Sequence, residues 1–234
     1  HSNHSLTLLQ NNPPKLMLQY FKKLLSDPFF YHYSRQALLW GMPLKKWAQY
    51  GNYDQPRERI ADLGCGPSDI LRYVDESTKP AFYLGIDISA RYLKQASSKA
   101  KKLNLSSKFI SLDLSDLSTQ EAIQSQLIAV LNEHHITTVN LFGVMHHLDD
   151  LAVIHTLNTV FAAGSVRSLI TQDVLIIKGN RINNFYVSLD RGEYVRTEQE
   201  YDDMINKTKW GNKDKMWSQA GVGQVKYIHY RLRK

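Results

Sequence analysis

Short β-rich runs alternate with longer helical patterns through the middle of the chain, and this alternation constrains the fold more than any other feature. A helical pattern follows each of the first four strand candidates. The five candidates begin at Arg59, Phe82, Lys108, Thr137 and Ser168. Strands that alternate with helices form βαβ units, whose strands lie parallel in one sheet. We therefore predict an α/β fold built on a doubly wound, mostly parallel sheet.

Capping signals mark where the helices begin. A short helix is expected from about Ser68 to Asp75, and Ser89 is the predicted N-cap of a helix that runs to about Leu103. Serine or threonine followed by glutamate at the third position after it forms a capping box. This pattern predicts helix starts at Ser118 and Thr197, and a further helix is expected over 150–161. The polar stretch 178–196 breaks the rhythm, and weaker strand candidates lie around 215–217 and 225–230.

A segment rich in aromatic and basic residues precedes the first strand. Its apolar residues recur at helical spacing, as in Leu16, Tyr20 and Leu24. We expect residues 1–55 to form a helical cap over the edge of the sheet at which open α/β sheets bind ligands. Residues 56–234 would form the main domain, compact with the cap.

Composition and charge exclude several classes of protein. The chain has 234 residues, 43% of them hydrophobic, which suits a globular core and excludes wholesale disorder. Because no run of about 18 apolar residues occurs, no membrane span is predicted. The single cysteine, Cys65, cannot form an internal disulfide or a cysteine-rich zinc site, and we expect a cytoplasmic protein. The net charge of +7 comes from the flanks, since residues 60–180 have 10 basic and 12 acidic side chains.

The turn after the first strand is the most informative motif. It reads Asp-Leu-Gly-Cys-Gly-Pro-Ser over 62–68, and its two glycines let a ligand approach the backbone closely. A phosphate-binding P-loop would need Gly-Lys-Ser/Thr after the turn, which is absent. A dinucleotide site would need glycine or alanine three residues after Gly66, where Asp69 would instead face the pyrophosphate.

A third interpretation fits, because Asp62-x-Gly64-x-Gly66 resembles the first motif of class I S-adenosylmethionine-dependent methyltransferases. Three later segments resemble further motifs of that family in the same order: 83–89, 111–114 and 140–150. The family usually carries a third glycine where this chain has Ser68. The resemblance implies a Rossmann-like sheet with an antiparallel C-terminal strand, and S-adenosylmethionine as cofactor with S-adenosylhomocysteine as product.

The resemblance also implies roles for individual residues. Asp87 would accept hydrogen bonds from the ribose hydroxyls, and Asp113 would accept from the adenine amino group while the Leu114 backbone donates. Ile88 would pack on the adenine. The other expected cofactor contacts are Asp62 at the loop or the ammonium group, Gly64, Cys65 and Gly66 around the methionine portion, Gly143 and Val144 near the sulfonium, and Tyr33 and Arg35 from the cap. Cys65 is expected to fit the loop because it is small, since no paired base would activate it as a nucleophile.

Methyl transfer is an in-line displacement, so the protein mainly has to position the acceptor. A general base is needed only for a hydroxyl or activated carbon acceptor, and His146 and His147 are the candidates because they follow the fourth strand. A metal site made by these histidines and Asp149 is not favoured, because consecutive side chains point in different directions. No metal is therefore predicted.

The acceptor remains open at this level. We expect a methyltransferase acting on a small acceptor that can carry negative charge, since the segment 190–197 has arginines that could bind it. The alternatives are an RNA methyltransferase, suggested by an isoelectric point near 9.3, and a non-catalytic protein that binds the cofactor. Nucleic acid is not favoured, because the chain has neither the motif for methylating base amino groups nor an added RNA-binding module.

Overall fold

A computed structural model describes residues 44–188, 190, 192–220 and 225–234. These residues belong to one compact unit that begins at Met42. They include eight strands: β1 (Arg59–Leu63), β2 (Phe82–Asp87), β3 (Ser107–Ser111), β4 (Thr138–Phe142), β5 (Ser168–Ile176), β6 (Arg196–Thr197), β7 (Asn212–Ala220) and β8 (Val225–Arg233). The helices are α1 (Leu44–Tyr50), α2 (Ala90–Lys102), α3 (Glu121–Glu133), α4 (Asp150–Ala162), α5 (Arg181–Ser188) and α6 (Glu198–Asn206).

The strands form one sheet in the order β3-β2-β1-β4-β5-β8-β7, and β6 pairs with β5 beside this path. β1 to β5 are parallel, whereas β8 and β7 run antiparallel to their neighbours. The chain moves outward from β1 to β3 and then crosses to β4 on the other side of β1. This topology confirms the predicted Rossmann-like sheet with an antiparallel C-terminal strand, which is β8.

Apolar residues on both faces of the sheet build the core, as expected for parallel strands covered by helices. On one face, Leu84 and Leu141 pack in a cluster with Leu127 of α3 and Leu157 of α4. The opposite face holds a second cluster that includes Ile60 and Tyr83, together with Trp47 of α1. Trp47 makes an edge-on aromatic contact with Tyr227 of β8, at 5.0 Å between ring centroids. Most of the predicted cap, residues 1–43, lies outside the described residues.

Two of the predicted helix starts are confirmed. The Ser89 side chain accepts from the backbone N–H of Tyr92 at the start of α2. Thr197 and Glu200 form the predicted capping box at α6, where each side chain bonds to the other residue's backbone. The two C-terminal strand candidates are also present as β7 and β8. None of the helices in the described part of the chain is long and apolar enough to cross a membrane.

The predicted helix start at Ser118 is wrong. Asp113 accepts from the backbone N–H of Ser115 and begins a short 3-10 turn, Leu114–Ser118. Ser118 is therefore the last residue of this turn, with its hydroxyl on the Ser115 carbonyl at 3.0 Å. Helix α3 begins later, at Glu121, and its N-cap residue Gln120 makes no side-chain capping bond. Asp113 thus caps a separate short turn, and Ser118 ends that turn instead of starting the helix.

Helix α5 lies inside the polar stretch that was expected to break the pattern. Its asparagines hold it in place: Asn180 accepts from the backbone N–H of Asn183 at 3.0 Å. Asn183 is buried and donates to the Leu175 carbonyl at 2.9 Å. Hydrophobic periodicity does not detect this helix, because a hydrogen-bonded amide occupies one of its buried positions.

Candidate active site

The predicted site residues that fall within the described chain lie at the carboxyl ends of four neighbouring strands. Residues 64–66 follow β1, Asp87 ends β2, Asp113 comes just after β3, and residues 143–147 follow β4. The parallel register aligns these ends, with Leu63 opposite Ile86 and Asp87 opposite Ser111. The fold therefore brings segments separated by about 80 residues to one edge of the sheet.

The glycine turn has a conformation that requires glycine. Gly64 has φ +72° and Gly66 has φ +51°, in the left-handed region that side chains disfavour. The Ile86 carbonyl accepts from the N–H groups of both Gly64 and Cys65, at 2.7 and 2.9 Å, and fixes the loop to β2. A methyl group on Gly64 would lie 2.5 Å from Val144 Cγ2, so the glycine turn and the segment after β4 are in direct contact.

Asp87 joins the glycine turn to the start of helix α2. Its Oδ2 accepts from the backbone N–H of Gly66 and its Oδ1 from that of Ser89, both at 2.8 Å. A carboxylate has about four acceptor positions, so these two bonds fix its orientation and leave capacity for a ligand. Ile88, the next residue, is 65% exposed although it is apolar. A fixed carboxylate and an open apolar side chain therefore lie side by side.

Asp62 lies buried beneath the turn, in a network of hydroxyl groups. Its Oδ2 accepts from Tyr53 and Tyr83, at 2.8 and 2.9 Å. Burial raises the pKa of this carboxyl to about 6, although the two hydroxyls act to lower it. The Ser68 hydroxyl lies 2.8 Å from the Tyr83 hydroxyl and extends the network.

The structure gives Ser68, Tyr53 and Tyr83 places beside the glycine turn that the motifs alone did not predict. Ser68 has φ +50°, so it adopts the left-handed conformation expected of a third glycine. Sequence reasoning missed Tyr53 and Tyr83. The position of Tyr83 could have been predicted from the alternation of side chains in strands. Tyr83 pairs with Ile60, and Ile60 and Asp62 are two residues apart, so all three lie on the same face of the sheet.

Cys65 behaves as a small buried residue of the loop. It is 8% exposed, and its thiol donates to the Gly66 carbonyl at 3.4 Å. Burial, together with the nearby Asp62 carboxylate, strongly raises the pKa of the thiol, which therefore stays protonated at neutral pH. This geometry agrees with the expected packing role.

The segment after β3 holds Asp113 at the same edge. Its carboxylate accepts from the backbone N–H and the hydroxyl of Ser115, at 2.9 and 2.7 Å. The following Leu114 is buried. Asp113 is partly exposed, and its side chain is fixed by its own turn in the manner of Asp87.

His146 is buried between two carboxylates. Its Nδ1 bonds to Asp173 Oδ1, and its Nε2 lies 3.2 Å from Asp190 Oδ1. Burial lowers the pKa of this imidazole, but the two carboxylates outweigh that effect and raise the pKa to about 10. His146 therefore connects three segments of the chain through the two nitrogens of its ring. His147 differs, because its side chain is exposed, with its ring centroid 4.1 Å from that of His146.

Residues 192–196 pack against the segment that follows β4. The buried Arg196 donates from its two terminal nitrogens to the carbonyls of Met145 and Leu148, at 2.8 and 2.7 Å. Its Nε bonds to Asp150 at 2.8 Å. The Tyr194 N–H also donates to the His146 carbonyl, at 2.9 Å. All three guanidinium nitrogens of Arg196 thus bond within the protein, and the prediction that it binds an acidic substrate is wrong. Arg191 lies outside the described residues.

Comparisons with known proteins agree with this geometry. Residues 60–161, from β1 through most of α4, match the family model described as a methyltransferase domain. The chain contains a methyltransferase domain. Its strand order and the motifs at the strand ends are those of the class I type that the sequence resembled. A search of curated proteins found no match.

Solved structures share the fold of this methyltransferase domain at low sequence identity. A SAM-dependent methyltransferase from Aquifex aeolicus aligns with a TM-score of 0.57 and 15% identity, over 93% of this chain and 98% of that one. The magnesium protoporphyrin IX methyltransferase from Synechocystis PCC 6803, solved with bound SAH, aligns at 0.54 and 15%, over 100% and 90%. The small RNA methyltransferase HEN1 aligns at 0.59 and 15%, over 82% of this chain but 25% of that one.

The predicted site residues within the described chain therefore fall into two spatial groups. The first surrounds the glycine turn and consists of Asp62, Gly64, Cys65, Gly66, Asp87, Ile88, Asp113 and Leu114. The second follows β4 and consists of Gly143, Val144, His146 and His147. The contact between Gly64 and Val144 connects the two groups. The predicted contacts from Tyr33 and Arg35 lie outside the described residues.

Proposed function

We propose that this chain is an S-adenosylmethionine-dependent methyltransferase that acts on a small acceptor. The observation that carries the proposal is Asp87, a carboxylate fixed by two backbone N–H groups and followed directly by the exposed Ile88. S-adenosylmethionine has a ribose with two free hydroxyls, a flat adenine and no phosphate. A fixed carboxylate beside an apolar side chain suits the first two groups.

The charges on this edge also suit the cofactor. Asp87 and Asp113 are carboxylates, which favour a cationic sulfonium ligand and disfavour a phosphate. Hydrogen bonds to a charged acceptor contribute about 1.5–3 kcal/mol each, so the Asp87 bonds to ribose would supply a substantial part of the affinity. A methyl group on Gly66 would meet no protein atom within 4 Å, so the turn leaves open space where the methionine portion would lie.

The segment after β4 would form the acceptor side. Val144 packs on Gly64, and the exposed His147 follows three residues later. For a hydroxyl acceptor in a metal-free site, His147 is the better candidate for general base. Both ring nitrogens of His146 already face carboxylates, so that residue would act by positioning the segment.

Isothermal titration calorimetry with S-adenosylhomocysteine, ATP and NAD⁺ tests the cofactor. We expect S-adenosylhomocysteine to bind at one site and the two phosphate-bearing ligands to give no saturable heat. Tighter binding of ATP or NAD⁺ than of S-adenosylhomocysteine would overturn the proposal, because it would require a phosphate site at the glycine turn.

A small acceptor is favoured over RNA by the pairing of basic side chains near the C-terminus. Lys215 bonds to both Glu198 and Asp202, and Arg233 pairs with Asp214. Within the described C-terminal part, these two basic side chains are thus held by carboxylates of the same domain and are not presented to phosphates. Bulk RNA should bind weakly, with little dependence on salt between 50 and 200 mM; tight binding that falls steeply over about this range would indicate an RNA acceptor.

A further inference from the structure

Two histidines and an aspartate converge on the acceptor side of the domain. His146, His147 and Asp190 each offer one ligand atom, and these three atoms lie within 4.8 Å of one another. His146 is buried, Asp190 is partly exposed and His147 is exposed, so the group opens toward solvent on one side. Nitrogen from two imidazoles with one carboxylate oxygen is a donor set typical of divalent first-row metals.

The distance between the two inner donors fits metal coordination. His146 Nε2 and Asp190 Oδ1 are 3.2 Å apart. Two ligands at metal distances of about 2.1 Å are about 3.0–3.4 Å apart when the angle at the metal is between octahedral and tetrahedral values. A metal ion can therefore replace the proton between these atoms without moving either residue. The exposed His147 lies beside this pair, with its ligand atom within 4.8 Å of the other two.

The surroundings of His146 support the same assignment. A histidine that binds a metal usually donates its second ring N–H to a carboxylate, which orients the ring. Here Asp173 bonds to Nδ1, and the Asp173 carboxylate is itself fixed by the Met145 N–H at 2.8 Å. Asp173 is fully buried, so it serves as the supporting group and leaves Nε2 for the metal.

We propose that His146, His147 and Asp190 form a binding site for one divalent metal ion of the Zn²⁺ or Co²⁺ type. The sequence did not favour a metal, because consecutive histidine side chains were expected to point in different directions, and the acid considered with them was Asp149. That side chain caps helix α4 by accepting from the Ala152 N–H at 2.8 Å and takes no part in the group. The fold supplies a different acid, Asp190, which is 44 residues from His146 and lies beside it next to residues 192–196, which pack on the segment after β4.

The metal would change the chemistry of the acceptor side. Three protein ligands leave open positions, which an acceptor hydroxyl or water could occupy, and a bound metal lowers the pKa of such a group. In that state His147 is a ligand, and the metal takes over the activation otherwise assigned to a general base. Metal binding itself does not depend on the proposed cofactor, so its test is independent of the cofactor test.

The experiment is a titration of protein without an affinity tag, freed of metal by a chelator, with Co²⁺ followed by its visible absorption. We expect one equivalent to bind, and Zn²⁺ to displace it. Asp190→Asn and His147→Gln should each weaken Co²⁺ binding by about 10-fold or more. His147→Gln changes an exposed side chain and should leave the fold intact, which circular dichroism can verify.

The matched control is Glu193→Gln, which removes an exposed carboxylate from the same segment but lies outside the group. It should bind Co²⁺ as the unmodified protein does. The proposal is overturned if the unmodified protein binds no Co²⁺, or if His147→Gln and Asp190→Asn bind it as tightly as Glu193→Gln does. In that case the contact between His146 and Asp190 is an ion pair and nothing more.

Discussion

Replacing Gly64 by alanine tests the contact between the glycine turn and the segment after β4. The new methyl group would lie 2.5 Å from Val144 Cγ2, and Val144 is buried and stiff about its first torsion. The left-handed backbone adds a penalty of about 1–2 kcal/mol for any residue with a side chain. Overpacking adds about 1–3 kcal/mol. We therefore expect Gly64→Ala to lower the free energy of unfolding by about 2–5 kcal/mol.

Gly66→Ala is the matched control. Gly66 has a similar backbone conformation, φ +51°, but a methyl group there would meet nothing within 4 Å. Its cost should be the backbone penalty alone, about 1–2 kcal/mol. The two variants differ in one respect, the contact with Val144. Urea unfolding followed by circular dichroism measures both free energies.

The double variant Gly64→Ala with Val144→Ala isolates the contact. Removing the Val144 methyl groups should recover part of the loss, with a coupling energy of about 0.5–3 kcal/mol. If Gly64→Ala and Gly66→Ala cost the same within experimental error, or if the double variant is additive, the two segments do not touch as described. The assignment of Val144 to the neighbourhood of the cofactor would then fail.

Three further predictions concern the surrounding framework. Arg196→Met should lower the free energy of unfolding by about 2–4 kcal/mol, because the buried carbonyls of Met145 and Leu148 lose their donors; a loss under about 0.5 kcal/mol, typical of surface changes, would contradict this role. Cys65 should react slowly with a thiol reagent in the native protein and rapidly in guanidinium, and fast native labelling would contradict its burial. Burial lowers the pKa of His229 to about 4, below its unfolded value, so stability should fall as the pH drops through about 6.5 toward 4. Between pH 7.5 and 4.5 this one group should remove about 2–3 kcal/mol, and an unchanged pH profile in His229→Gln would contradict it.

The sequence predicts the central sheet well because local signals and global topology agree there. β-branched and apolar runs, each followed by a glycine or an acidic residue, mark the carboxyl ends of β1 and β2. The caps at Ser89 and Thr197 are local hydrogen bonds between residues three positions apart, so their pattern is visible in the chain. The capping pattern fails at Ser118, because this residue ends the short turn that Asp113 caps, and α3 begins only at Glu121.

The acceptor side could be predicted only in part. His146 and His147 are conspicuous after β4, but their different environments follow from partners far away in the chain. Asp173 lies 27 residues beyond His146 and Asp190 lies 44 beyond it, in a segment with no strong periodicity. Such pairings depend on how a loop returns over the sheet, which no local pattern encodes. The role of Arg196 was mispredicted for the same reason, since its buried partners Met145 and Leu148 lie far away in the chain.

Calorimetric titration of the Asp87→Asn variant with S-adenosylhomocysteine tests the central claim most directly. Asparagine keeps the size of the side chain but removes the charge that would bind the ribose hydroxyls. We expect the affinity to fall about 10- to 150-fold, the equivalent of about 1.5–3 kcal/mol for one hydrogen bond to a charged group. Asp75→Asn, a change at an exposed acid away from the strand ends, should leave the affinity unchanged. Equal affinity of Asp87→Asn and the unmodified protein, or no binding by the unmodified protein, would contradict the account.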